Sequence, residues 1–168
     1  MNTKTPKIVQ AAMLAALCCI ATMIIKIPTP LKGYVNLGDC IVLLSGWILS
    51  PSYAFLAAGI GSSLADVFSG YLIYAPATFI IKGLMAVIAH YCFKAINVRM
   101  ERITSQSISG FLAELAMIIG YFLFEGVLYG FPSAAINIPA NSVQGTAGLI
   151  IGIMLIKVVE STKLIYNT

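Results

Sequence analysis

Charge is scarce in this sequence. Charged side chains make up 10% of its 168 residues, against roughly 25% in soluble globular proteins. Hydrophobic residues make up 60% and the mean hydropathy is +0.95. A soluble domain is therefore excluded, and an integral membrane protein is predicted. At about 20 residues per spanning helix, the chain has room for about six helices in one domain that covers residues 1–168.

Several signatures of cofactor, metal or nucleotide binding are also missing. Four cysteines occur without CxxC spacing, which is typical of small buried apolar side chains. The only histidine, His90, has no second ligand at metal spacing. No GxxxxGK[ST] motif is present, so any ATPase has to come from other chains. We expect no metal and no cofactor.

The net charge of +4 does not indicate nucleic-acid binding, because the basic residues lie in loops beside hydrophobic segments. The first apolar run is followed by a lysine and a proline, without a small-x-small cleavage site, so it is predicted to be a helix and not a signal peptide.

Proline, glycine and polar stretches divide the apolar sequence into six predicted helices. They cover residues 8–25, 37–49, 53–68, 76–93, 108–129 and 139–159. Residues 26–36 and 94–106 are predicted to be loops. The predicted fold is an all-α membrane protein in which six transmembrane helices form one bundle.

Lysine and arginine positions predict the orientation of that bundle, because cytoplasmic flanks are enriched in both. With both termini in the cytoplasm, two basic residues lie outside, Lys26 and Lys32, and Lys82 lies within a helix. The other seven lie inside: Lys4, Lys7, Lys94, Arg99, Arg102, Lys157 and Lys163.

Polar residues interrupt the apolar helices near their outer ends. A charge near the bilayer core costs several kcal/mol unless it faces protein, water or a partner. This grouping predicts a small-solute site with aromatic walls and a few fixed polar groups. The predicted substrate-binding residues are Tyr34, Asp39, Asp66, Tyr74, Lys82, Glu125, Tyr129, Asn141 and Gln144.

Each of these residues also has a structural interpretation. Tyrosines at helix ends are often interfacial anchors. Lys82 could form a purely structural ion pair with Asp66 or Glu125. Glu114 lies deeper, where a structural or partner-coupled role is favoured.

Three segments together resemble a known family. They are the AxxxA pattern within AAMLAA at residues 11–16, then YVNLGDCIVLL with GIGSSLADVFSGYLIYAPATFIIKG, and finally GYFLFEGVLYG with NIPANSVQGTAG. The chain resembles the S components of energy-coupling factor (ECF) transporters, the membrane subunits that capture vitamins in bacteria and archaea. The similarity is greatest to the hydroxymethylpyrimidine/pyridoxine-type and riboflavin-type branches.

The resemblance implies six helices, with a vitamin held near the outer surface of a prokaryotic plasma membrane and gated by residues 26–36. It also implies docking on a shared transmembrane subunit, driven by two ATPase subunits. The predicted docking residues are Ala11, Ala12, Ala15 and Ala16 on the first helix. A pyridoxine-like or hydroxymethylpyrimidine-like ligand is preferred because the polar set is compact, and riboflavin is the alternative.

Two other functions compete with vitamin capture. An intramembrane enzyme would pair Ser62 or Ser63 with His90, but these residues are predicted near opposite ends of their helices. A stand-alone channel or exchanger is disfavoured because no internal inverted repeat is evident. The chain is therefore predicted not to be an enzyme.

Overall fold

Helices dominate the fold, as so apolar a sequence predicts. The structure, a computed structural model, describes residues 4–29 and 34–162. Within these ranges the helices are α1 (Lys4–Ile24), α2 (Asp39–Ile48), α3 (Pro51–Phe68), α4 (Ala75–Ile96), α5 (Arg102–Tyr129), α6 (Phe131–Ala134) and α7 (Ile138–Ser161). A 3₁₀ turn, Ala135–Asn137, joins α6 to α7, and two short strands, β1 (Lys26–Pro28) and β2 (Tyr34–Asn36), join α1 to α2.

Four segments among the described residues are long and apolar enough to cross a membrane. They are Lys7–Ile24, Ala75–Ile96, Arg102–Tyr129 and Phe131–Ser161. These segments confirm the prediction of a helical, multi-pass membrane protein. The helix α2 has 10 residues and is too short to span a bilayer upright, so the count of six crossings stays a prediction.

The helix α2 lies at the centre of the bundle. All its residues from Asp39 to Trp47 are buried, so it has no lipid-facing side, as a helix that is apolar all round requires. It contacts α1, α3, α4 and α7, while α1–α3, α3–α4, α4–α5 and α5–α7 pack as further pairs. A polar side chain on α2 therefore has to find its partner inside the protein.

The segment between α1 and α2 corrects the predicted loop at residues 26–36, although the fold remains a helical bundle. Residues 26–36 were predicted as a loop, but β1 and β2 pair antiparallel, with Lys26 opposite Asn36. The prolines of this segment are incompatible with a continuous helix. Pairing as two strands gives the backbone hydrogen bonds that a helix would otherwise supply. Lys32 and Gly33 of this predicted gate lie outside the described residues, as does Lys163 of the predicted cytoplasmic set.

The helix α5 begins at Arg102 instead of residue 108. Its polar first turns are ordered by contacts that the sequence pattern did not reveal. The Arg102 guanidinium lies 2.6 Å from a Glu160 carboxylate oxygen, and the Gln106 amide donates to the same oxygen. Trp47 donates its indole N–H to the Ser109 hydroxyl at 3.1 Å. These side chains bind α5 to α7 and α2, which is why a stretch predicted as solvated loop is helical.

Helices α1 and α3 approach each other closely at Gly61. A Cβ at this position would collide with the backbone oxygen of Ala15 and with the Cys18 Cβ. Small residues at such crossings allow backbones to pack together in membranes, where packing replaces the hydrophobic effect as the source of helix association.

We expect Gly61→Ala to destabilise the bundle by about 1–3 kcal/mol, because a backbone atom of α1 blocks the added methyl group. Thermal unfolding of the detergent-purified protein measures the effect. Gly152→Ala is the matched control, since its nearest neighbouring atom would lie 3.5 Å away, at an ordinary contact distance. Equal melting temperatures for the two variants would contradict the close packing of α1 on α3.

Candidate functional site

A polar cavity lies at the end of the bundle where α3 and α5 end and where α2, α4 and α7 begin. It contains about 400 Å³ of space between atoms, part of which is open to solvent. The hairpin of β1 and β2 contributes to its wall. The lining residues are Thr29, Tyr34, Asn36, Asp66, Tyr71, Tyr74, Thr78, Tyr121, Glu125, Asn137, Asn141 and Gln144.

One wall of the cavity joins the hairpin to α3. The Tyr34 hydroxyl donates to Oδ1 of Asp66 at 2.6 Å. Burial and the neighbouring Asp66 raise the pKa of the Tyr34 hydroxyl, so that it stays protonated and remains a donor. The Tyr34 and Tyr71 rings lie 4.8 Å apart between centroids, and Tyr71 meets Tyr74 edge-on at 6.5 Å. This wall therefore offers aromatic surface next to a carboxyl group.

A second carboxyl group lies across the cavity on α5. Oε1 of Glu125 accepts from the Asn137 amide at 2.9 Å and from the Tyr74 hydroxyl at 3.3 Å. Glu125 is 3% exposed and Asn137 is 1% exposed. The short turn after α6 thus places an amide against the last turn of α5.

A buried ion pair lies beneath the cavity. Lys82 of α4 bonds to Oδ1 of Asp39, and both side chains are almost fully buried. Oδ2 of Asp39 accepts from the Gln144 amide at 2.7 Å, and the Gln144 oxygen accepts from the backbone N–H of Asn36 at 2.9 Å. Asp39 lies in the first turn of α2, where the helix dipole favours negative charge.

This pairing corrects one interpretation from the sequence. Lys82 pairs with Asp39 instead of Asp66 or Glu125, because Asp39 starts the central helix directly opposite α4. Asp39 and Lys82 do not line the cavity, and Tyr129 lies beside Tyr74 outside the lining. The other six predicted residues do line it: Tyr34, Asp66, Tyr74, Glu125, Asn141 and Gln144. Ligand contact by any of them stays a prediction.

Six lining residues are not among the predicted substrate-binding residues, and helical spacing points to two of the six. Tyr121 lies four residues before Glu125 on α5, and Thr78 lies four residues before Lys82 on α4, so each shares a helical face with a selected residue. Their side chains also bond to each other at 3.1 Å. The remaining four lie in or beside turns without a periodic pattern: Thr29, Asn36, Tyr71 and Asn137.

Two other predicted groups lie away from the cavity. Glu114 is 4% exposed and faces Gly145 and Gly148, and neither of its oxygens has a hydrogen-bond partner among the described residues. His90 contacts the backbone oxygen of Gly46, whereas Ser62 contacts the Cys18 thiol. The bonds made by His90 and Ser62 therefore do not join them as a catalytic pair.

The four docking alanines divide between two faces of α1. Ala12 and Ala16 are exposed, whereas Ala11 is buried and Ala15 is half-buried against α3. All four line an open apolar groove between α1 and α3 that Tyr53 and Phe68 also border. The helix α1, which forms one side of this groove, is long and apolar enough to cross a membrane.

We expect Lys82→Met to destabilise the protein by about 3–5 kcal/mol, because it leaves Asp39 as an unpaired buried charge. The double variant Asp39→Asn with Lys82→Met removes both charges and should recover most of the lost stability. Thermal unfolding of the three proteins at one pH checks this. A single variant as stable as the original protein would show that the pair does not stabilise the bundle.

Comparison with known proteins identifies the family. A family model described as "ECF-type riboflavin transporter, S component" matches residues 2–161. An uncharacterized protein in the gap 3′ region of Pyrococcus woesei is 35% identical over 134 residues, which are 79% of this chain and 87% of that protein. A solved structure of the S component of a bacterial ECF transporter shares the fold, with a TM-score of 0.71 and 19% identity over 95% of this chain and 98% of that chain. The chain therefore belongs to the family of ECF-type riboflavin transporter S components, a family of membrane transport proteins and not of enzymes.

Proposed function

We propose that this S component captures a small heteroaromatic vitamin or vitamin precursor at the outer side of a prokaryotic plasma membrane. Uptake would be driven by ATP hydrolysis on separate energy-coupling subunits. The observation that carries the proposal is the cavity itself. Tyrosine rings, two carboxyl groups and four amide side chains from separate segments of the chain converge there, which is the composition of a small-molecule site.

The size of the cavity favours a small ligand. Only about 30 Å³ of it is space that the centre of a water-sized sphere can occupy, whereas small-molecule sites span roughly 300–1,000 Å³. Any ring compound therefore requires the cavity to open, and a single-ring compound requires the least opening. A pyridoxine-like or hydroxymethylpyrimidine-like compound would bring a ring for the tyrosines and hydroxyl or amino groups for the oxygen acceptors, so these compounds are our first candidates.

Riboflavin is the second candidate. The matching family model carries its name, and the hydroxyl groups of its side chain would also suit an acceptor-rich cavity. Its three fused rings need more of the available space than a single ring does. The two candidates therefore differ in how far the hairpin has to open around the ligand.

The hairpin of β1 and β2 is the proposed gate. It contributes Tyr34 and Asn36 to the cavity wall, and these two residues attach it to Asp66 and Gln144. Both attachments end on residues that also face the cavity. A ligand can therefore influence the gate through the same side chains that it contacts.

We also propose the orientation in which six helices cross with both termini in the cytoplasm. The positive-inside rule supports it, since only Lys26 and Lys32 of the flanking basic residues fall outside. In this orientation the ends of α3 and α5 and the cavity between them face the exterior. The ligand would then enter from outside, as capture requires.

We expect the purified protein to carry a co-purifying heteroaromatic compound that mass spectrometry of the extracted ligand identifies. Titration calorimetry with the stripped protein should show binding without ATP. Glu125→Gln should weaken that binding about tenfold or more, because a charged acceptor in the cavity is lost. Glu114→Gln is the control, because Glu114 lies on the same helix as Glu125 but outside the cavity. Variants of Asp39 or Lys82 are poorer controls, because they would break the ion pair beneath the cavity. A protein that binds no vitamin of either candidate class would refute the proposal.

The exposed small-residue face of α1 is the proposed docking site for the energy-coupling transmembrane subunit. Ala12 and Ala16 present this face, and the groove beside them lets a partner helix approach the α1 backbone. Ala11 and Ala15 already pack towards α3 and serve the fold. The greater exposure of Ala12 and Ala16 supports this pair as the docking pair.

We expect Ala16→Trp to abolish co-purification with the energy-coupling subunits and vitamin uptake by the complex, while ligand binding by the isolated protein is unchanged. The added ring would fill the groove without touching the cavity. Tyr91→Trp, on an exposed position of α4, is the matched control. Normal assembly of the Ala16→Trp protein would move the docking site to another face.

A further inference from the structure

The described charged side chains that line the cavity are all acidic. Asp66 and Glu125 line it, whereas no lysine, arginine or histidine does so among the described residues. Two basic side chains close to lining residues bond to other groups: Lys82 pairs with Asp39, and Lys26 donates to the Ser69 hydroxyl at 2.8 Å. Neither Asp66 nor Glu125 therefore forms an ion pair with a basic side chain in the part of the chain that the structure describes.

Most of the unused hydrogen-bonding atoms of the lining are acceptors only. Within residues 4–29 and 34–162, four buried oxygens of the lining have no partner: Oδ2 of Asp66, Oε2 of Glu125, Oδ1 of Asn137 and the Thr29 hydroxyl, which can donate or accept. Asp66, Glu125 and Asn137 are at least nine-tenths buried. The protein's donors reach the other side of each carboxyl group, with Tyr34 on Oδ1 of Asp66 and Asn137 on Oε1 of Glu125. A bound molecule that satisfies this lining has to bring hydrogen-bond donors.

Aromatic rings surround these acceptors. Tyr34, Tyr71, Tyr74 and Tyr121 line the same cavity, and the face of an aromatic ring attracts a cation placed over it. Two of these rings already show this contact, with the Lys26 ammonium 5.9 Å from the Tyr34 ring centroid and the Lys82 ammonium 5.5 Å from that of Tyr121. A buried carboxylate is costly unless a positive partner accompanies it. A cationic ligand would pair with the carboxylates and lie against the rings, whereas an anionic ligand would add like charge to the site.

We propose that the cavity selects a ring compound that carries a protonated amino group over its neutral hydroxyl counterpart, and that it rejects the carboxylate counterpart. This inference rests on the proposed function and narrows the ligand class of the same site. Asp66 and Glu125 are the specificity-determining residues, through the two oxygens that the protein leaves unpartnered. Anionic vitamins and phosphorylated forms are excluded as substrates on this basis.

Compounds that differ in one substituent test the inference. The full-length, detergent-purified protein is titrated with pyridoxamine, pyridoxine and pyridoxic acid, which carry an aminomethyl, a hydroxymethyl and a carboxylate group on one ring. The aminomethyl and hydroxymethyl forms of methylaminopyrimidine, and riboflavin, complete the set. We expect the aminomethyl compound of at least one ring series to bind about tenfold tighter than its hydroxymethyl partner, with the carboxylate compound weakest.

Variants assign the preference to the two acids. Asp66→Asn or Glu125→Gln should reduce the preference for the amine to less than about threefold, because one charged acceptor becomes neutral. Glu114→Gln is the control, since Glu114 lies outside the cavity, and it should keep the preference. Lys32→Gln should also keep the preference for the amine. This variant is needed because Lys32 lies outside the described residues.

The possible results separate the two proposals. Equal or tighter binding of the hydroxymethyl compounds or of riboflavin would overturn charge selection and leave vitamin capture standing. Loss of the preference in Lys32→Gln would likewise overturn the assignment to Asp66 and Glu125. Failure of every compound to bind would remove the proposed function together with this inference.

Discussion

The burial of a charge pair at the start of the central helix is the constraint on which the rest of the structure depends. The helix α2 has no lipid-facing side, so Asp39 at its first turn has to be neutralised within the protein. Lys82 supplies the opposite charge and Gln144 supplies a hydrogen bond, which fixes α4 and α7 against α2. Breaking such a network leaves an uncompensated charge in a low-dielectric setting. The floor of the cavity is therefore rigid, whereas its upper wall is a short hairpin.

Gln144 connects that rigid floor to the hairpin. Its amide nitrogen donates to Asp39, while its oxygen accepts from the backbone of Asn36 at the end of β2. Asn36 in turn accepts from the backbone N–H of Gly38 at 2.8 Å, in the turn that leads into α2. The end of the hairpin is thus anchored at Asn36, so opening of the proposed gate would have to begin at the Tyr34 end of β2. The contact of Tyr34 with Asp66 is the attachment that opening would break.

How much the sequence predicts depends on whether a contact is local. Long apolar runs and proline breaks locate the helices, and the outer-end polar residues locate the cavity, because helix ends on one side of a membrane share a depth. Partner choice is not local: Asp39 and Lys82 are 43 positions apart, and no spacing rule selects that pair over Lys82 with Glu125. The start of α5 was missed for the same reason. Its polar first turn is held by Glu160, at the far end of α7.

The cavity lining leaves hydrogen-bonding atoms for a ligand, at a cost to the stability of the protein without one. An unpartnered buried acceptor costs about 1–3 kcal/mol, and the lining contains three of them among the described residues. Asp66 shows what such an arrangement achieves. Asp66 lines the cavity; one of its oxygens accepts from Tyr34 of the hairpin, and the other has no hydrogen-bond partner among the described residues. A donor that arrives in the cavity would satisfy the second oxygen and draw charge from the first, which links occupancy of the site to the strength of the gate contact. The same carboxyl group would then contact the ligand and also change the strength of the hydrogen bond that attaches the hairpin through Tyr34.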